Sequence, residues 1–166
     1  MLYIGIDNGK KGAISVINNE EQVIRLIPIP LINNEYDIGT LVQVFKSILE
    51  IDNNVQVYLE SSSPRPIQGV KQAFDMGMGY GIMKGILQSL NLSMEIFSPQ
   101  AWQNVLLKNL NTGNTKTDSI LYCKQKYPSQ NFNIGRSKKE QDGLTDSLCI
   151  AIFGKRYRSN RNETNI

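Results

Sequence analysis

The sequence predicts an α/β domain on a mixed five-stranded sheet, three antiparallel strands followed by parallel ones, flanked by helices. Three observations carry this. Residues 2–7, 12–18 and 22–29 are successive β-patterned segments joined by short turns, as an antiparallel meander requires. Apolar residues then recur at helical spacing before a fourth β-patterned segment at 55–60. A strand reached through a helix normally lies parallel to an earlier one, with a right-handed crossover.

In order, Leu2-Tyr3-Ile4-Gly5-Ile6 opens the chain as an apolar strand, and Asn8-Gly9-Lys10-Lys11-Gly12 turns it. Asn18-Asn19-Glu20-Glu21 makes the second turn, and Pro28 and Pro30 end the third strand. Ile38, Leu41, Val42, Phe45, Ile48 and Leu49 mark a helix over 37–51, stopped by Asp52-Asn53-Asn54. After the strand at 55–60 and a Ser/Pro loop, a helix runs from about 67 to 90, with Gly77, Gly81 and Gly85 on one stripe. Each Gly costs about 1 kcal/mol relative to Ala in a helix, which is tolerable where a backbone or ligand must come close. Residues 93–97 form a fifth strand. Ser98 and Pro99 then suit the cap and first turn of a helix through about 107. Helices at 116–126 and 142–157 follow, separated by a polar, basic stretch from Pro128 to Gln141. Domain organisation is read as one unit over 1–157 with a basic, disordered tail over 158–166. The element order resembles the ribonuclease-H-like fold, in which functional groups gather at one end of the central strands.

Composition narrows the function classes. A length of 166 residues, 40% hydrophobic and 20% charged, fits one soluble globular domain. The apolar runs are too short to span a bilayer, and the N-terminus lacks a signal-peptide layout. Cys123 and Cys149 have no close spacing, which argues against a disulfide framework or a zinc site. A reducing cytosol, bacterial or phage-infected, is the expected compartment. Histidine is absent, which removes His-activated nucleophiles and imidazole metal sites. Acid–base work must then fall to carboxylates, Lys, Tyr or metal-activated water.

Four acids stand where a metal-dependent nuclease needs them. Asp7 ends the first strand and Glu60 the fourth. Asp142 and Asp146 lie four residues apart on one helix face, where like charges repel unless a cation bridges them. Ordinary readings stand beside these. Asp7 could simply start a turn through its own backbone, Glu60 could be a surface acid, and Asp142 could favour a helix N-terminus. Asp146, enclosed by Leu144 and the run Leu148-Cys149-Ile150-Ala151-Ile152-Phe153, is hardest to explain that way. A cluster of partly buried carboxylates needs a counter-charge, and oxygen ligands point to Mg²⁺ or Mn²⁺.

Basic residues frame these acids, within a net charge of +3. Lys10 and Lys11 follow Asp7; Lys116 opens a helix; Arg136, Lys138 and Lys139 precede Asp142. Arg65, Gln68, Lys71 and Phe74 follow Glu60 and offer groups for a DNA backbone or an opened base. Core packing is the simpler reading of Phe74, and Trp102 reads as a packing anchor.

Taken together, the motifs resemble RuvC-type Holliday junction resolvases, in their phage and organellar branch. Ile4-Gly5-Ile6-Asp7-Asn8-Gly9 with Gly12-Ala13 resembles the opening motif, and Glu60 with Pro64-Arg65-Pro66-Ile67-Gln68-Gly69-Val70 the second. Ser98-Pro99-Gln100-Ala101-Trp102 resembles the step before the basic segment. Asp142-Gly143-Leu144-Thr145-Asp146-Ser147-Leu148-Cys149-Ile150-Ala151 resembles the last motif. The resemblance spans roughly residues 2–154. It implies a homodimer that binds a four-way DNA junction in recombination and repair, nicking two strands of like polarity at symmetric positions. It also implies that Asp7, Glu60, Asp142 and Asp146 are catalytic and bind two Mg²⁺ per active site, with Mn²⁺ able to substitute. In that setting the 67–90 helix is the expected dimer surface. Two departures stand out: bacterial members space the last pair by three residues rather than four, and Ser61-Ser62-Ser63 replaces the aromatic that follows the Glu. Alternatives on the same scaffold are a nuclease for RNA–DNA hybrids or other branched substrates, and a catalytically silent junction-binding protein.

Overall fold

A computed structural model describes residues 1–62, 69–110, 112–135 and 140–164, with 162–164 described as backbone only. The expected α/β architecture is present. Strands β1 (Leu2–Ile6), β2 (Ala13–Ile17), β3 (Val23–Pro28), β6 (Val55–Glu60) and β7 (Met94–Phe97) form one mixed sheet in the order β3-β2-β1-β6-β7. β1 pairs antiparallel with β2 and parallel with β6, so it is central, and every residue of β1 and β2 is buried. That double burial is why β1 reads as a continuous apolar run rather than an alternating one.

Alternation appears instead in which layer each side chain meets. Ile4 and Ile6 join Ile14, Val16, Phe45, Met83 and Leu87 beneath helices α1 (Ile38–Leu49) and α2 (Val70–Ser89). Tyr3 and Tyr58 point to the opposite layer, with Trp102, Cys123, Leu148 and Ile152, under α3 (Pro99–Leu106), α4 (Thr115–Lys126) and α5 (Asp142–Thr164). Helix α5 packs directly on β1 and β2, and Gly5 makes this possible: a Cβ there would overlap the Ser147 carbonyl and the Ala151 backbone. No described helix is long and apolar enough to cross a membrane.

Caps fall as the residues dictate. The Asp37 carboxylate accepts from Thr40 N at 3.0 Å, Ser98 Oγ from Ala101 N at 3.3 Å, and Asn114 Oδ1 from Lys116 N at 3.0 Å.

Two features differ from the sequence reading, and a third, the juxtaposition of the two cysteines, lies beyond it. A two-residue hairpin, β4 (Leu31–Ile32) and β5 (Glu35–Tyr36), follows β3, turned by Asn33 and Asn34 at φ 51° and 62°. Strands this short leave no period-2 signal. Helix α5 does not give way to a tail after 157 but continues to Thr164. Arg158 bonds Gln56, Arg161 pairs with Glu95 at 3.7 Å, and Tyr157 packs edge-on against Phe97, latching that end to β6 and β7. Finally, Cys123 and Cys149, far apart in sequence, face each other across α4 and α5 as buried free thiols, Sγ to Sγ 3.7 Å.

Candidate active site

The register of β1 and β6 pairs Ile6 with Leu59, so the next residues, Asp7 and Glu60, stand side by side at one end of the sheet. Helix α5 begins at that same end. Gly143 lets it approach the β1–β2 turn, since a Cβ there would overlap the Lys11 carbonyl and Gly12 Cα. Asp142 and Asp146 thereby face Asp7 and Glu60 across one cleft of about 520 Å³, whose wall also includes Asn8, Lys11, Gln72, Met76 and Lys116. All four predicted acids line it.

The turn after β1 is held in detail. Asp7 Oδ1 accepts from Gly9 N at 3.2 Å, so the turn-starting role and the cleft position belong to the same side chain. Asn8 is buried; it donates to the Glu60 carbonyl at 2.8 Å and accepts from Ser62 Oγ at 2.9 Å, tying the ends of β1 and β6 together. Tyr36, from the unforeseen hairpin, donates to the Asn8 carbonyl at 3.0 Å. Gly79 of α2 admits that contact, because a Cβ would overlap Tyr36 Oη.

The electrostatics are those of carboxylates crowded away from water. Burial raises the pKa of Asp7, opposed by its bond from Gly9, with Asp142 adding to the rise and Lys116 opposing it. Burial pushes Asp146 up to about 8; a hydrogen bond from Ser119 opposes this, and Asp7, Glu60 and Asp142 reinforce it. Asp146 Oδ1 is buried and receives no hydrogen bond from any described residue. Lys116 is bonded to Asp142, which holds its ammonium above the usual lysine range. Glu60 Oε1 accepts from Trp102 Nε1 at 2.8 Å.

This donor set fits a hard divalent cation. The four acids present only oxygen ligands, they outnumber the lysines of the cleft wall, and one buried carboxylate oxygen lacks a partner among the described residues. Among those residues no three acids are yet drawn into a single ligand set, and Lys116 occupies part of the space as a protein cation.

No family model and no curated protein sequence matches the chain. Solved structures do. Thermus thermophilus RuvC in complex with a Holliday junction substrate superposes with a TM-score of 0.66 over 96% of this chain and 96% of its own, at 14% identity. A further structure of Thermus thermophilus RuvC gives 0.66 over 96% and 97%, at 16% identity. The yeast mitochondrial Holliday junction resolvase Ydc2 gives 0.58 over 96% and 80%, at 16% identity. The fold is that of RuvC-type Holliday junction resolvases.

Within this RuvC-type fold the remaining predicted residues divide. Lys11 is exposed at the cleft. Lys10 is turned aside, its ammonium 3.5 Å from Glu35 and 3.4 Å from Asp75. Lys71 is exposed in the first turn of α2. Phe74 is 68% exposed, which corrects its reading as a core residue. Arg65, Gln68, Arg136, Lys138 and Lys139 lie outside the described residues. Gly77, Gly81 and Gly85 of α2 face open space, with no described atom within 4 Å of a Cβ built on any of them. Asn8, Gln72, Met76 and Ser119 were not anticipated. Only Asn8 carried a signal, as the residue that follows a strand-end acid within the turn.

Proposed function

We propose that this protein is a divalent-metal-dependent endonuclease that resolves four-way DNA junctions. The observation that supports this most is the convergence of Asp7, Glu60, Asp142 and Asp146 on one cleft in a fold shared with a junction-bound RuvC. In this reading the four carboxylates hold two Mg²⁺, or Mn²⁺ in substitution. When bound, such ions supply Lewis acidity at the scissile phosphate and a nucleophile at neutral pH. Asp146, with its pKa raised to about 8, would bind such an ion in its deprotonated form.

The chain's own groups do the rest. Lys11 at the rim, joined by Lys71, Arg65, Gln68, Arg136, Lys138 and Lys139, meets the DNA backbone, and Phe74 offers an exposed ring at an opened base step. Lys10 serves by fixing the turn through Glu35 and Asp75. Lys116 pairs with Asp142 and balances its charge in the metal-free cleft. A homodimer through the glycine face of α2 would present two clefts to the junction and cut it in paired, symmetric nicks, in recombination and repair of DNA in the cytosol.

The test is a strand-resolved cleavage assay on labelled four-way junctions, linear duplex and RNA–DNA hybrid, with Mg²⁺ or Mn²⁺ and an Asp146→Asn control. Paired symmetric nicks on the junction alone, lost in the variant, are expected. Cutting of the hybrid would move the protein to a ribonuclease. Junction binding without cutting in either metal would leave a silent binding module.

A further inference from the structure

The Glu60 carboxylate accepts from a neutral side-chain donor, Trp102 Nε1 at 2.8 Å, whereas the Asp142 carboxylate is bonded to the ammonium of Lys116. An ammonium on that carboxylate repels an incoming metal cation. An indole N–H fixes the direction of a carboxylate without cancelling its charge and carries no positive charge to repel a metal.

The donor itself is fixed. Trp102 is 1% exposed and packs in the layer that contains Leu106, Leu148 and Ile152. Its helix is positioned by the strand next to Glu60: Phe97 of β7 pairs with Glu60, Ser61 N donates to the Phe97 carbonyl at 2.8 Å, and Ser98 and Pro99 start α3 at once. Glu60 is therefore gripped at two points, at its carbonyl by Asn8 Nδ2 at 2.8 Å and at its carboxylate by Trp102.

We infer that Trp102 is a positioning residue that orients Glu60 for cation binding. As the one tryptophan of the chain, it is also an optical reporter of that event. This rests on the metal-dependent reading above.

The obvious variant, Trp102→Phe, opens a cavity in the core and can fail for that reason alone. The decisive variant replaces the indole by 3-benzothienylalanine, which keeps the fused ring and exchanges N–H for sulfur. Mg²⁺ is titrated into both proteins without DNA and followed by calorimetry; tryptophan emission is recorded for the natural protein in the same titration. Loss of a partner that orients a metal ligand typically costs 10- to 100-fold in affinity. The expected results are an affinity lowered about tenfold or more, an unchanged circular dichroism spectrum, and an emission change in the natural protein that saturates with the calorimetric midpoint. Equal affinity in both proteins, or unmoved emission while calorimetry registers Mg²⁺ binding, overturns the role of Trp102 and leaves the metal-dependent reading standing. No uptake of Mg²⁺ by the natural protein overturns both, and is a distinct result.

Discussion

Lys116, in the first turn of α4, is bonded through its ammonium to Asp142, the first residue of α5. It also lowers the pKa of Asp7, so one cation serves acids from two segments. The lysine side chain is 69% exposed, and the net worth of such a pair is about 0.5–1 kcal/mol. Lys116→Met is therefore expected to lower the metal-free melting temperature by about 1–4 °C. Added Mg²⁺ should stabilise the variant by more than it stabilises the natural protein. Differential scanning fluorimetry across a Mg²⁺ series checks both, and an unchanged metal response would remove Lys116 as a competitor for the site.

Asp146 gives the metal-free protein a pH dependence of definite sign. Its folded pKa, about 8, lies above the ordinary 3.8, so the folded state binds the extra proton between those values. Its relative stabilisation is fully present below about 3.8 and is lost as the pH rises through about 8. Urea denaturation in EDTA should show stability falling across that window, with a flatter profile in Asp146→Asn. Divalent affinity should rise over the same range, because the cation displaces the proton.

Gly143 carries no chemistry, yet a side chain there would collide with the Lys11 backbone. Gly143→Ala should push the start of α5 away from the β1–β2 turn. The expected cost is about 1–3 kcal/mol in urea denaturation, together with Mg²⁺ affinity lowered by tenfold or more in calorimetry. Gly5→Ala, which strikes the buried first half of α5 at Ser147 and Ala151, should cost at least as much stability.

The glycines of α2 offer a clean test of self-association, because a Cβ at Gly77, Gly81 or Gly85 meets no described atom. In a monomer, Gly81→Ala should stabilise the helix by up to about 1 kcal/mol. If α2 is the dimer surface, Gly81→Leu should weaken the dimer without unfolding the protomer. Sedimentation velocity and thermal melting, run together, separate these outcomes.

Much of the fold was legible because its signals are local. The meander turns, the Ser98 cap and the apolar period of α1 each sit within a few residues. The acids were legible because strand ends and helix faces follow from the same patterns. What escaped reading depends on distance. Pairing of Trp102 with Glu60 requires β6 and β7 to be neighbours, and the indole gave no hint beyond an N–H in need of a partner. Continuation of α5 past 157 depends on Gln56 and Glu95 lying under Arg158 and Arg161, which a polar, basic segment does not announce. Phe74 was misread because an aromatic in a helix usually packs inward, and here it faces solvent.

The four acids come from three separate stretches of chain, and this orders events during synthesis. A growing chain delivers Asp7 first, then Glu60, then Trp102 and Lys116, and only last the helix with Asp142 and Asp146. Until α5 is made, β1 and β2 lack the helix that covers one of their faces, and the cleft lacks two of its carboxylates. A nascent chain on the ribosome, surrounded by nucleic acid, thus has no assembled cleft, and the finished domain acquires it in the same step that closes its core.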